Sequence, residues 1–178
     1  MTPHILIVMG VSGCGKTTVG RELAARLGWP FQEGDDFHPP ANVARMRDGI
    51  PLSDADRAPW LTAITRWAST EVSAARSAVV TCSALKRSYR DQLRTAGPGV
   101  TFVYLQVPRD ELERRVSHRH HEFMPASLLV SQLATLEEPA GDEPHVLIVD
   151  AAGPIETTVE TALQAIRRAG IGGPVSGP

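Results

Sequence analysis

The chain has 178 residues, 42% hydrophobic and 21% charged, which fits one domain with a sizeable core and excludes a disordered polypeptide. A net charge of −2 without a block of like charges leaves no nucleic-acid footprint, and no apolar stretch approaches the length of a membrane span. Two cysteines make no disulfide framework and no signal-peptide pattern precedes the first apolar run, so the expected compartment is cytoplasmic.

The apolar run Ile5–Met9 predicts a first strand. Directly after it, Gly10-Val11-Ser12-Gly13-Cys14-Gly15-Lys16-Thr17 fits the phosphate-binding pattern G-x-x-x-x-G-K-[ST]. Glycines let backbone N–H groups turn inward around an anion, where a Cβ would obstruct them. Lys16 has the reach for the β- and γ-phosphates, and the Thr17 hydroxyl suits Mg²⁺. Residues 17–27 predict a helix whose positive N-terminal end faces those phosphates, so Gly10 through Thr18 form the expected ATP-binding stretch. Cys14 is open to two readings, a thiol of lowered pKa or a small residue tolerated in the loop.

A second strand is expected at 31–33, running into Glu33-Gly34-Asp35-Asp36-Phe37-His38. Strand-like alternation would put Glu33 and Asp35 on one side. One acid suits the water shell of a metal, the other the proton of an attacking hydroxyl, and His38 suits a polyol. The bland alternative is an acidic solvated turn. Part of 40–47 predicts a helix, and a longer one runs from about 56 to 75, with Asp54 or Asp56 as its cap and Trp60, Leu61, Ile64 and Trp67 as its apolar stripe. Arg57 near the start of that helix opposes the helix dipole. It reads either as a clamp for a carboxylate or as a surface partner of an aspartate.

The third strand is expected at 78–82, and its end lacks the acid that many phosphate-loop proteins carry there. Glu33 or Asp35 must then serve the metal. Ser83 offers a hydroxyl, and Lys86 reads as a substrate or phosphate contact or as a surface lysine. Helices are expected at about 87–96, 109–118, 126–138 and 155–169, with strands at 101–107 and 145–149. Strands alternating with helices predict a parallel sheet covered on both faces, with the chemistry at the carboxyl ends of the strands. The basic stretch at 114–121 suits a lid, at about 117–126, that closes over ATP and excludes water. A rival is a metal site using His118 and Glu122. The expected domain is 1–170, followed by a flexible glycine- and proline-rich tail at 171–178.

Four stretches, in order, resemble the gluconokinases among the small P-loop kinases: M-G-V-S-G-C-G-K-T, G-D-D-F-H-P-P-A-N-V-A-R-M-R-D-G-I-P-L-S-D-A-D-R-A-P-W-L, C-S-A-L-K-R-S-Y-R-D-Q-L-R and F-M-P-A-S-L-L-V-S-Q-L-A-T-L-E-E-P. The H-P…D-x-D-R-x-P-W-L block and C-S-A-L-K-x-x-Y-R-D are far more restrictive than the phosphate loop. The resemblance implies an α/β P-loop kinase fold with a five-stranded parallel sheet and a lid. It also implies MgATP-dependent phosphorylation of D-gluconate at its 6-hydroxyl and, as in several members, a homodimer.

By the same resemblance Asp35 is the base and Arg119 the lid cation; the phosphate-loop pattern makes Lys16 the other catalytic cation, and the missing acid on the third strand leaves Glu33 to join Thr17 at the metal through water. Arg57 matches a carboxylate-binding arginine, while His38, Arg45, Lys86, Arg90 and Gln132 fall in or near the sugar-acid site. The chain departs from the family in having Glu33 where Asp is common, and in its lid, where Arg119-His120-His121-Glu122-Phe123 replaces R-x-G-H-F. The rivals are another small-molecule kinase, such as a shikimate kinase, and a GTP-dependent switch. The switch lacks its N-K-x-D motif, since the sole asparagine, Asn42, precedes Val43.

Overall fold

A computed structural model of the protein describes residues 2–118 and 126–172. The strands β1 (Ile5–Met9), β2 (Phe31–Gln32), β3 (Ala78–Thr81), β4 (Val100–Gln106) and β5 (Val146–Asp150) form one sheet in the order β2-β3-β1-β4-β5. Every neighbouring pair is parallel. The central strand is fully buried, which is why its sequence is an unbroken apolar run and not an alternating one.

Each face of β1 feeds a different half of the core. Leu6 and Val8 point into one apolar cluster with Val19, Leu23, Val159 and Leu163. Those four residues come from helices α1 (Lys16–Leu27) and α7 (Ile155–Arg168). Ile5, Ile7 and Met9 point to the opposite cluster with Trp60, Leu61, Ile64 and Leu93. These belong to α3 (Asp54–Ser73) and α4 (Arg87–Arg94). The remaining helices are α2 (Pro40–Arg47), α5 (Arg109–His118) and α6 (Ala126–Thr135).

Two local expectations are corrected. The second strand stops at Gln32, and Gly34–Phe37 winds into a 3-10 turn. A Cβ on Gly34 would lie 1.7 Å from the Thr81 carbonyl oxygen, so only glycine lets the chain pass against the end of β3. Glu33 and Asp35 thus come to one side through a turn, not through strand alternation. The long helix begins at Asp54, and its cap is Ser53, neither Asp54 nor Asp56. The Ser53 hydroxyl accepts from the Asp56 N–H at 3.2 Å, and the Asp56 carboxylate accepts from the Ser53 N–H at 2.8 Å, a reciprocal capping box. That box fixes the first turn of α3, from which Arg57 and Trp60 project.

The chain leaves β1 toward β2 on one side of the sheet and reaches β4 on the other. The connections therefore part at the carboxyl ends of β1 and β3, where open α/β sheets bind ligands.

Candidate active site

A cleft of about 360 Å³ opens at that point. Its floor is the phosphate loop, represented by Ser12, Gly13, Gly15, Lys16, Thr17 and Thr18. Gly10, Gly13 and Gly15 all have positive φ, at 144°, 83° and 100°. This backbone lets successive N–H groups face an anion. Val11 and Cys14 point the other way, into the core, each less than 5% exposed. Cys14 is therefore a packing residue of the loop. Lys16 folds back and its ammonium donates to the Val11 carbonyl at 3.2 Å. The Ser12 N–H donates to Gln132 Oε1 at 2.7 Å, so a side chain of α6 rests on the loop. The cavity is also lined by Gln132, which the structure thus places beside the phosphate loop.

Glu33 stands beside Thr17. The Thr17 hydroxyl donates to Glu33 Oε2 at 2.7 Å, and the Thr81 hydroxyl donates to the other carboxylate oxygen. Thr81 accepts in turn from the Gly34 N–H at 2.9 Å. The end of β3, which has no acid, instead supplies the hydroxyl that orients an acid from the end of β2. Thr17 and Glu33 form a pair of hard oxygen donors next to a glycine-lined loop, a set that fits Mg²⁺ and its waters.

The opposite wall carries Asp35, His38, Arg57 and Trp60. Asp35 projects into the open cleft with its side chain 66% exposed. Desolvation by the cleft walls raises its pKa, Glu33 and Asp36 add to the rise, and Lys16 opposes it. The His38 ring stacks on Trp60, 4.3 Å between centroids and 11° between planes. Burial, helped by the Arg57 charge, pushes the His38 pKa down to about 4, so the ring is neutral at pH 7. Trp60 is both core and platform: it is 2% exposed, and its indole N–H donates to the Gly34 carbonyl at 2.7 Å.

Arg57 is 8% exposed and lines the cleft. Among the described residues no carboxylate lies within ion-pair distance of it. Its guanidinium donates to the Tyr89 hydroxyl at 3.3 Å. That hydroxyl donates to Asp54, whose two oxygens each accept from Lys86 at 2.9 Å. Tyr89 and Lys86 draw the Asp54 pKa down, so the chain Lys86–Asp54–Tyr89 is anchored on an ionised carboxylate.

The remaining expected residues stand elsewhere. Lys86 is committed to Asp54 and does not line the cavity. Arg45 is half exposed, 3.8 Å from Asp56, and is also absent from the lining. Arg90 is 1% exposed and pairs with Glu143 through two hydrogen bonds of 2.6 and 2.8 Å. It also donates to the Ala84 and Leu85 carbonyls at 2.9 and 3.2 Å. The structure therefore does not bring Arg90 to the cleft; it braces the turn that carries the cavity-lining Ser83. Arg119, His120, His121 and Glu122 lie outside the described residues, as do most of the expected lid and residues 173–178 of the tail. Among the described residues no cluster of His, Cys, Asp and Glu could hold a metal ion by itself.

The missed residues are Asn42, Tyr89, Asp54 and Thr81. Tyr89, Asp54 and Thr81 meet partners 32 to 48 residues away, whereas Asn42 meets His38 four residues away. The one local hint was the spacing of four between His38 and Asn42 across the start of α2.

A parallel sheet, a glycine-lined anion loop with Lys16 and Thr17, and an acid facing that loop define a P-loop kinase. A family model described as an AAA domain matches residues 5–139. The chain is 57% identical over 148 residues to the gluconokinase of Gluconobacter oxydans, covering 83% of each chain. It is 41% identical to the thermoresistant gluconokinase of Escherichia coli, covering 93% of this chain and 94% of that one. A solved gluconokinase from Sinorhizobium meliloti superimposes with a TM-score of 0.84 at 47% identity, covering 94% of each chain. The chain belongs to the gluconokinase family.

Proposed function

We infer that this kinase transfers the γ-phosphoryl group of ATP to the 6-hydroxyl of D-gluconate. The observation that carries the reading is the buried Arg57 in the cleft wall, a guanidinium with no protein carboxylate within ion-pair distance among the described residues. A monocarboxylate polyol supplies what that wall lacks: one carboxylate for Arg57 and hydroxyls for His38 and Asp35.

The roles follow from position. Backbone N–H groups of the phosphate loop and Lys16 hold the donor phosphates and offset charge as the transfer proceeds. Asp35 takes the proton of the attacking hydroxyl; desolvation raises its pKa, which strengthens it as a base. Thr17 and Glu33, the latter through water, would hold Mg²⁺, which neutralises phosphate charge when bound. Arg119 is assigned to the lid at about 117–126 and to the transferring phosphoryl group. Arg57 fixes the acceptor, so positioning contributes much of the rate. The same reading has the protein cytoplasmic and a homodimer, with no nucleic-acid or membrane partner. Both cysteines are free and buried, which fits a reducing compartment, and the homodimer rests on the family resemblance.

A coupled assay over gluconate, shikimate, glucose and nucleoside monophosphates tests the acceptor: gluconate should give the highest kcat/KM, and an equal or higher value for another acceptor would overturn the reading. Asp35→Asn should lower kcat by roughly 10²–10⁴-fold, the range for a removed general base, with ATP affinity retained. Near-normal turnover in that variant would remove Asp35 from the role of base.

A further inference from the structure

His38 faces the cleft as a neutral ring, and a neutral imidazole has two forms with opposite meanings for a ligand. With the proton on Nε2 it donates there; with the proton on Nδ1 it can only accept there. The surroundings choose between them. Asn42 is 5% exposed, and its amide nitrogen lies 2.7 Å from the Asp56 carbonyl oxygen. Only an NH₂ group can serve that carbonyl, so the orientation of the amide is fixed. The second hydrogen of the same NH₂ faces His38 Nδ1 at 3.4 Å. Nδ1 must then carry a lone pair, which puts the ring proton on Nε2.

Nε2 in turn lies 3.9 Å from Asp35 Oδ1. That span is too long for a direct hydrogen bond, but one hydroxyl oxygen between the two atoms reaches both at ordinary length. Such a hydroxyl donates its proton to Asp35 and accepts from Nε2–H with one lone pair, leaving the other free. We propose that Asn42 is a positioning residue that locks His38 as its Nε2–H tautomer, so that His38 and Asp35 together hold one acceptor hydroxyl in a fixed orientation. Trp60 keeps the ring in plane by stacking, and burial, helped by the nearby Arg57 charge, keeps it neutral. The hydroxyl is that of gluconate only if the function proposed above holds; the tautomer lock does not depend on it.

The test is ¹⁵N NMR of histidine-labelled, ligand-free full-length protein near pH 7, with the His38 signals assigned by their loss in His38→Gln. Wild type should show a protonated Nε2 and a bare Nδ1. Asn42→Asp replaces a donor by an acceptor, so the pattern should reverse to Nδ1–H, and gluconate kcat/KM should fall at least about 10-fold, as for a lost hydrogen bond, while KM for ATP holds. His38→Gln, whose amide offers a donor at the place of Nε2, should retain several-fold more activity than His38→Leu; this pair decides the matter even if Asn42→Asp fails to fold. A wild-type ring protonated on Nδ1, an unchanged tautomer with unchanged kcat/KM in folded Asn42→Asp, or equal activity of His38→Gln and His38→Leu would each overturn the proposal. A reversed tautomer in a protein whose wild type turns over no gluconate would retain the lock and overturn the gluconate reading instead.

Discussion

Two buried arginines, Arg90 of α4 and Arg57 of α3, differ in what answers their charge. Arg90 is enclosed with Glu143, both side chains 1% exposed, and one of its terminal nitrogens donates to two carbonyls. All four of these hydrogen bonds lead back into the protein. Arg57 is nearly as buried, yet its described hydrogen bond goes to a neutral phenol and the rest of the guanidinium borders the cleft. Burying a charge is expensive unless it is paired. The first arginine is paired within the fold, while the second has no carboxylate within ion-pair distance among the described residues. Residue type is the same and burial nearly so; on the function proposed above, the partner is what separates a brace from a binding group.

The strongest way to break this comparison is to truncate the brace. Arg90→Ala strands Glu143 without its main partner, and loss of one member of a buried pair typically removes about 3–5 kcal/mol of stability. Denaturant unfolding should show that loss, while KM for gluconate in the folded fraction stays near wild type. A stable Arg90→Ala protein with a raised gluconate KM would return Arg90 to the site. The same pair has a pH signature. The Arg90 and Arg94 guanidiniums hold the Glu143 pKa down to about 2, against an ordinary 4.5. A carboxylate depressed in the folded state stabilises above its unfolded pKa and loses that contribution as pH falls through the window from about 4.5 to 2. Acid unfolding over that window should be shallower in Glu143→Gln than in wild type.

Arg57→Ala is the mirror experiment. It removes a buried charge that has no carboxylate within ion-pair distance among the described residues, so stability should change little or rise. Gluconate kcat/KM should fall by about 2–4 kcal/mol, chiefly through KM, as for other truncated charge-assisted contacts. A neutral polyol acceptor, lacking the carboxylate, should be indifferent to the substitution. An unchanged gluconate KM would move the carboxylate clamp elsewhere.

The contrast also marks what the sequence could and could not show. The phosphate loop was legible because its chemistry is local: Gly10 to Thr17 make the anion cradle, and the apolar run before it is a central strand. Asp35, His38 and Arg57 were legible as types of group in restrictive blocks. Arg90 misled because its partner Glu143 is 53 residues away, and nothing near Arg90 in the sequence announces a carboxylate. Trp60 read as core because its stripe is apolar; that the same ring carries His38 needs the 3-10 turn at Gly34, which arises from contact with the end of β3. Lys86 stays open in the sequence between a substrate contact and a surface lysine, because its partner Asp54 lies 32 residues earlier and only folding brings the two together.

The finest test lies in how Arg57 is held. Tyr89 donates to Asp54 and accepts from Arg57, so its hydroxyl passes the anchoring of an ionised carboxylate on to the guanidinium. Burial, reinforced by the neighbouring Asp54 charge, raises the Tyr89 pKa, which keeps the phenol protonated and able to serve both partners across the neutral range. Tyr89→Phe removes one hydrogen bond on each side and leaves the ring, so packing against Arg57 and Lys86 persists. The lost orientation should appear as a rise of about 3- to 10-fold in gluconate KM, the equivalent of one hydrogen bond, with KM for ATP unmoved. If Arg57 were oriented by packing alone, Tyr89→Phe would match wild type in gluconate KM. If Tyr89 served mainly the fold, the variant would lose stability without that selective rise.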